Sequence, residues 1–308
     1  MRSLSRNRLS IVCCISFNYY GTRLALSTAD QVIQIWNFEG GVWQLSHKFS
    51  AHYGAIFKVR WAHPEFGSLL ASCSFDKAVN IYEENAEDQS WNTLATLIES
   101  KEPVEDIQFS PQQIGLKLAT CSANGEIRLY EPSNPGNQKV WSVINAFTAS
   151  PLGSNVIAWE QGICSCPSLL VGNNDVTTAS IKFCRTFDVE PELIQLWTYS
   201  GLNKCWEKRF WPSGHDAAVV DICWAPLMGR SKHIASSCSL DGVVIVWRID
   251  MTTSIMEIEH RVQEFSRPTA SLDVLGQTLC VSLATGVVKV WRRDVANTWV
   301  FVSALTGR

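Results

Sequence analysis

The chain has 308 residues, 46% hydrophobic and 18% charged, with a formal net charge of -3 and a pI near 6.1. That mixture excludes a disordered or fibrous chain and leaves room for one large all-β domain or two average ones. The acidic balance also excludes a broad phosphate-neutralising face, so no direct nucleic-acid partner is expected, and no run approaches the roughly 18–20 apolar residues of a spanning helix.

In chain order, Arg2, Arg6 and Arg8 precede the apolar run Leu9–Phe17, a pattern that superficially resembles a signal peptide. The repeat structure gives the better reading. Ile15-Ser-Phe-Asn18 occupies the same slot as Val59-Arg-Trp-Ala62, Ile107-Gln-Phe-Ser110 and Ile222-Cys-Trp-Ala225, so the run is expected to be a first strand.

Six segments end in a β-rich run closed by an aromatic six residues after a turn position: Asp30 to Trp36, Asp76 to Tyr82, Asn124 to Tyr130, Pro191 to Trp197, Asp241 to Trp247 and Thr285 to Trp291. The aromatics stand 44 to 67 residues apart, slightly more than the roughly 40–45 of a WD40 blade. Upstream of the turn lie hairpin signals such as Trp61-Ala-His-Pro-Glu-Phe-Gly67 and Phe109-Ser-Pro-Gln-Gln-Ile-Gly115, and downstream a fourth strand such as Trp91–Leu97 or Trp299–Val302. Four antiparallel strands repeated six times predict an all-β, six-bladed WD40-type β-propeller as one domain over 1–308. The blades are expected at 9–50, 53–98, 102–147, 153–211, 216–264 and 268–305.

Eleven cysteines include no C-x-x-C pair. Cys73, Cys121 and Cys238 each lie three residues before the repeat's turn position, which fits a recurring buried thiol acting as a small hydrophobe in a reducing compartment. No metal site and no cofactor are expected.

One polar set recurs. His52, Ser74, Asp76 and Tyr82 in the second unit match His215, Ser239, Asp241 and Trp247 in the fifth, and the residue types are those of a hydrolase triad plus an aromatic. An enzyme needs one such site, whereas every blade needs an internal chain of hydrogen bonds between its strands, and the known WD40 repeat uses a His, Ser/Thr, Asp and Trp that these residues resemble. With no G-x-S-x-G, P-loop, H-E-x-x-H or dinucleotide fingerprint present, a non-enzymatic scaffold is expected. A peptide-reading adaptor would need several Arg or Lys clustered at turns leading into first strands, and they are scattered. The polar insertion between Val171 and Trp197 reads as a surface loop, with a docking loop as the alternative.

The first strand already fills the inner slot of unit one and the last already supplies the outer strand of unit six, so the ring is expected to lack a strand latch. An open seam exposes apolar faces that a partner should cover. Leu9, Ile11, Cys13, Ile15, Trp299 and Phe301 are the candidate partner-binding residues.

Trp61-Ala-His-Pro-Glu-Phe-Gly67 with Leu70-Ala-Ser-Cys-Ser-Phe-Asp76, Gly115-Leu-Lys-Leu-Ala-Thr-Cys-Ser122 with Ile127-Arg-Leu-Tyr-Glu131, and Ala225-Pro-Leu-Met-Gly-Arg-Ser231 resemble the Seh-type nucleoporins, the small WD40 subunits of the nuclear pore's outer-ring Y complex. The sister family, the Sec-type propeller of the COPII vesicle coat, shares the Trp-Ala-His-Pro motif, and Asn18-Tyr-Tyr-Gly-Thr-Arg-Leu24 suits it. Against the coat protein, the third unit opens Ser100-Lys-Glu-Pro-Val104 without a Gly-His. The resemblance implies an open propeller completed by a blade from an α-solenoid nucleoporin, other Y-complex nucleoporins as partners, and a place at the nuclear envelope in mRNA and protein transport. It also implies a second place on the lysosome or vacuole surface, in a complex that regulates TORC1. A long C-terminal tail of the family is missing and the sixth unit is charged and variable, which leaves secondary contacts open.

Overall fold

The computed structural model describes residues 11–134, 137–162, 166–174, 192–210, 214–227, 230–253, 255–263, 268–272, 276–294 and 297–306. Its regular structure is almost wholly β. The first sheet is β1 (Val12–Phe17), β2 (Arg23–Thr28), β3 (Val32–Glu39) and β4 (Val42–Ser50), and the second is β5 (Ile56–Trp61), β6 (Leu69–Ser74), β7 (Val79–Glu84) and β8 (Trp91–Leu97). The third is β9 (Val104–Phe109), β10 (Leu118–Ser122), β11 (Glu126–Asn134) and β12 (Asn137–Thr148), and the fourth β13 (Ser154–Trp159), β14 (Ser168–Asn173), β15 (Ile194–Ser200) and β16 (Cys205–Phe210). The fifth is β17 (Val219–Trp224), β18 (His233–Ser239), β19 (Val243–Asp250) and β20 (Ile255–Gln263), and the sixth β21 (Pro268–Leu272), β22 (Thr278–Leu283), β23 (Val287–Arg293) and β24 (Trp299–Thr306).

Each sheet is antiparallel wherever its pairing is resolved and takes four consecutive strands. Among the described residues none borrows a strand from another part of the chain. These are the six blades of a β-propeller. The expected first strand is present as β1, although Leu9 lies outside the described residues. Most of the fourth unit's insertion, with Pro191 at its turn position, also lies outside them.

Local chemistry sets the strand ends. The Pro-containing signals at 61–67 and 109–115 become single 3-10 turns, Pro64–Phe66 and Gln112–Ile114, closed by Gly67 and Gly115 at φ of 94° and 79°, a region that side chains disfavour. The first strand of the first, second, fourth and fifth sheets carries a one-residue register shift near its start, which adds local twist.

The chain divides into two compact units, Met1–Phe109 with Pro132–Ser142, and Ser110–Glu131 with Val143–Arg308. In the first unit, Ala25, Ile33 and Ile35 of the first sheet pack on Ile56, Val59, Leu70 and Tyr82 of the second. In the second unit, Ala119, Cys121 and Ile127 meet Ile157, Trp159 and Leu169. Val156, Leu170 and Leu196 meet Val219 and Trp247, and Val244 and Val246 meet Leu279, Val281 and Trp291. Burying each such aliphatic side chain is worth roughly 1.5–3 kcal/mol, so the sheets are held chiefly by their faces.

A polar clamp reinforces the first pair. Arg23 donates from Nη1 and Nη2 to Glu84 at 2.6 and 2.8 Å and from Nε to Asn37 at 3.0 Å, while its guanidinium lies 5.3 and 5.7 Å from the rings of Trp61 and Trp91. Burial alone would raise the Glu84 carboxyl, but hydrogen bonds from Arg23 and Ser68 outweigh it and hold the group below the usual carboxylate range. Truncation by Arg23→Ala should lower the unfolding free energy by about 2–4 kcal/mol in denaturant titrations, because it strands a half-buried carboxylate. A carboxyl with a lowered folded pKa stabilises fully above its unfolded value and loses that contribution as pH falls through the folded one. The gap between parent and variant should therefore narrow in acid.

Candidate functional site

The recurrent polar set assembles as an internal chain in both blades. In the second, His52 Nδ1 lies 3.2 and 3.0 Å from the two Asp76 oxygens, and Asp76 also accepts from the amides of Tyr53 (2.9 Å) and Ala78 (3.0 Å). His52 Nε2 meets Ser72 Oγ at 2.7 Å, while the Tyr82 hydroxyl and Asn80 Nδ2 both donate to the Ala51 carbonyl, at 3.0 and 2.8 Å. In the fifth, His215 Nε2 meets Ser237 Oγ at 2.7 Å, and Trp247 Nε1 donates to the same oxygen at 2.7 Å. Asp241 accepts from the amides of Asp216 (2.9 Å) and Val243 (2.7 Å), with His215 Nδ1 at 3.4 Å, an ion-pair separation and not a hydrogen bond.

The serine of the chain differs from the one expected. Ser72 and Ser237 join the histidines, whereas Ser74 and Ser239 sit two residues on and cap the turn. Each accepts from the following Asp amide, at 3.2 and 3.3 Å, and Ser239 donates to the Ala217 carbonyl at 2.7 Å. Residues two apart on a strand share a face, so either serine matched the sequence pattern, and only the depth of the histidine separates them.

His52 and His215 are each 5% exposed and Ser72 and Ser237 are fully enclosed, so a substrate has no approach to either hydroxyl. Burial lowers the His52 pKa despite the opposing pull of Asp76. Burial alone would raise Asp76 and Asp241, but amide hydrogen bonds and the facing histidines leave both below the usual range. The thiols of Cys73 and Cys238 are buried and pushed well up, and Cys121 is likewise buried, as the repeat placement implied. Among the described residues no cluster of His, Cys, Asp and Glu is disposed to hold a metal ion.

The candidate partner-binding residues fall on different surfaces. Cross-strand register places Ile15 and Phe17 beside Leu26 and Leu24, Leu24 beside Trp36, Trp36 beside Leu45, and Phe38 beside Trp43. This is the face of the first sheet opposite Ala25, Ile33 and Ile35. It is apolar around Ile15, Leu24, Trp36 and Leu45 and polar farther along at Gln34 and Lys48, and no other described strand of its unit makes extensive contact with it. Ile15 is 54% and Phe17 55% exposed; Ile11 and Cys13 are also exposed.

On the sixth sheet, Trp299 is instead buried toward the fifth. Its Nε1 donates to Glu259 at 3.0 Å, its ring stacks on His260, and Phe301 packs edge-to-face on Trp291 at 5.6 Å. The opposite face of that sheet carries half-buried Cys280, Val288 and Val290 and exposed Val300. Leu24, Leu26 and Trp36 were missed from sequence. Their signal was present in the alternation of Leu24-Ala-Leu26 and of Ile33-Gln-Ile-Trp36, where both faces carry apolar residues.

Comparison with known proteins agrees with this architecture. The family of the WD domain, G-beta repeat, matches residues 1–37 and 43–83. Across 99% of the chain it is 28% identical to Nucleoporin SEH1-A of Xenopus laevis and 29% identical to Nucleoporin SEH1 of Bos taurus and of Homo sapiens, covering 88% of each of those proteins. The chain is a six-bladed β-propeller that matches WD repeats in its first two blades and is similar over nearly its whole length to Seh-type nucleoporins. The two polar sets each lie within a single blade, and the apolar face of the first sheet is the feature they leave unexplained.

Because Ser237 takes both His215 and Trp247, Ser237→Ala should cost about 2–3 kcal/mol in chemical unfolding, against about 1 kcal/mol for Ser239→Ala. For His52, a folded pKa below the unfolded 6.5 means its contribution is complete above that value and is lost as pH falls below it. A His52→Gln variant should accordingly show a flatter pH dependence of stability just below pH 6.5.

Proposed function

We propose that the chain is a non-catalytic scaffold subunit of the nuclear pore's outer-ring Y complex. In this reading an α-solenoid nucleoporin completes its propeller by covering the free face of the first sheet. The single observation that carries the reading is that face, from Ile15 to Leu45, set in a chain similar over 99% of its length to proteins named Nucleoporin SEH1.

The physical logic supports it. A propeller blade is covered on both faces, and a face rich in Trp, Phe and Leu left in water is what a partner's sheet would bury. A permanent contact of this kind buries roughly 2,000 Å² or more and behaves like a domain core cut in half. The half-buried valines of the sixth sheet offer a second surface of the same character. The polar chains supply no chemistry because their hydroxyls are enclosed and already bonded. Among the described residues no helix is long and apolar enough to cross a membrane, so a place at the nuclear envelope would come through partners.

Affinity purification of the tagged chain from cells, with identification of stoichiometric partners, tests this. An α-solenoid nucleoporin should be recovered with other Y-complex subunits, and a Leu26→Asp/Trp36→Ser variant should lose it while its circular dichroism stays that of the parent. Recovery of only the COPII coat's large subunit would replace this reading with vesicle budding.

A further inference from the structure

The turns that close the first hairpins of the first two sheets build an exposed aromatic surface on the first unit. Asn18 folds the first turn, its Oδ1 accepting from the amides of Thr22 (2.9 Å) and Arg23 (3.0 Å), with Gly21 at φ 69°. Tyr19 and Tyr20 stand at its apex, 69% and 68% exposed, their rings edge-to-face at 5.3 Å. Tyr19 packs on His63 of the second turn at 4.8 Å, and His63 on Phe66 at 6.3 Å. Single exposed apolar residues are ordinary, but a run of rings held by a hydrogen-bonded turn is pre-organised for docking and would lose little entropy on contact.

Carboxylates flank both turns. Phe38 donates its amide to the Thr22 carbonyl at 2.8 Å, which brings Glu39 beside the first turn. Glu84 donates to the Ser68 carbonyl at 3.1 Å, which brings Glu83 beside the second, and Glu65 lies within it. All three glutamates are exposed, and among the described residues none of them forms an ion pair. Arg23, at the end of the first turn, is held by Glu84 at 2.6 and 2.8 Å and so does not pair with these three glutamates.

We propose that this surface binds a Lys/Arg-rich segment of a partner protein. Its cations would lie over the tyrosine rings and its charge would answer the three glutamates. The surface belongs to the turns and not to the free face of the first sheet, so it stands or falls apart from the reading above.

Anisotropy of a labelled nine-residue Lys/Arg peptide, titrated with the full chain, tests this against a glutamate peptide of equal length. The basic peptide should bind and weaken with salt. Binding should drop at least tenfold in Tyr19→Ser/Tyr20→Ser and, separately, in Glu39→Gln/Glu65→Gln/Glu83→Gln, with an unchanged thermal midpoint in the latter. It should be retained in a Glu102→Gln/Glu257→Gln control. No binding, equal binding by both sets of variants, or equal binding of the glutamate peptide overturns the proposal.

Discussion

A four-stranded antiparallel sheet has two faces, and in this chain both are apolar, so every blade depends on a neighbour to keep water off it. That constraint governs the rest. It explains why strands such as Leu69–Ser74 and His233–Ser239 are buried along their whole length instead of alternating between core and solvent. It also explains why Ser, His and Asp recur inside. Once a strand is covered on both faces its polar atoms need partners within the protein, and the bonds of His52 to Ser72 and Asp76 and of His215 and Trp247 to Ser237 supply several of them.

Apolar faces are non-directional, and ion pairs add register. At one end of the chain Glu84, cross-strand from Trp91, reaches across to Arg23 of the first sheet. Near the other end the corresponding position, cross-strand from Trp299, is Arg293, which reaches Glu259 of the fifth sheet at 2.9 Å. The equivalent position thus carries opposite charges in the two sheets, and each answers a different strand of its neighbour, the second strand of the first sheet and the fourth strand of the fifth. Such pairs tie a sheet to one particular neighbour, a form of specificity that apolar burial alone does not provide.

A free apolar face on the first sheet is the exception to the rule that organises the fold. The exposed tyrosines at its turns are a separate departure, since no buried contact requires them. Where a stable architecture leaves hydrophobic surface uncovered, recognition is the ordinary explanation.

By itself the sequence determined the blade count, the order of strands and the recurrence of the His and Asp in two units. Those follow from local periodicity, turn residues and repetition, which are written in neighbouring positions. It could not separate Ser72 from Ser74 or Ser237 from Ser239, because residues two apart on a strand share a face and differ only in depth. Nor could it decide which side of the last sheet was free: Trp299 looked available, yet the fifth sheet offers Glu259 and His260 to bury it. Such choices were made by the tertiary structure, since which face of a strand meets a neighbour depends on residues dozens of positions away that no local pattern contains.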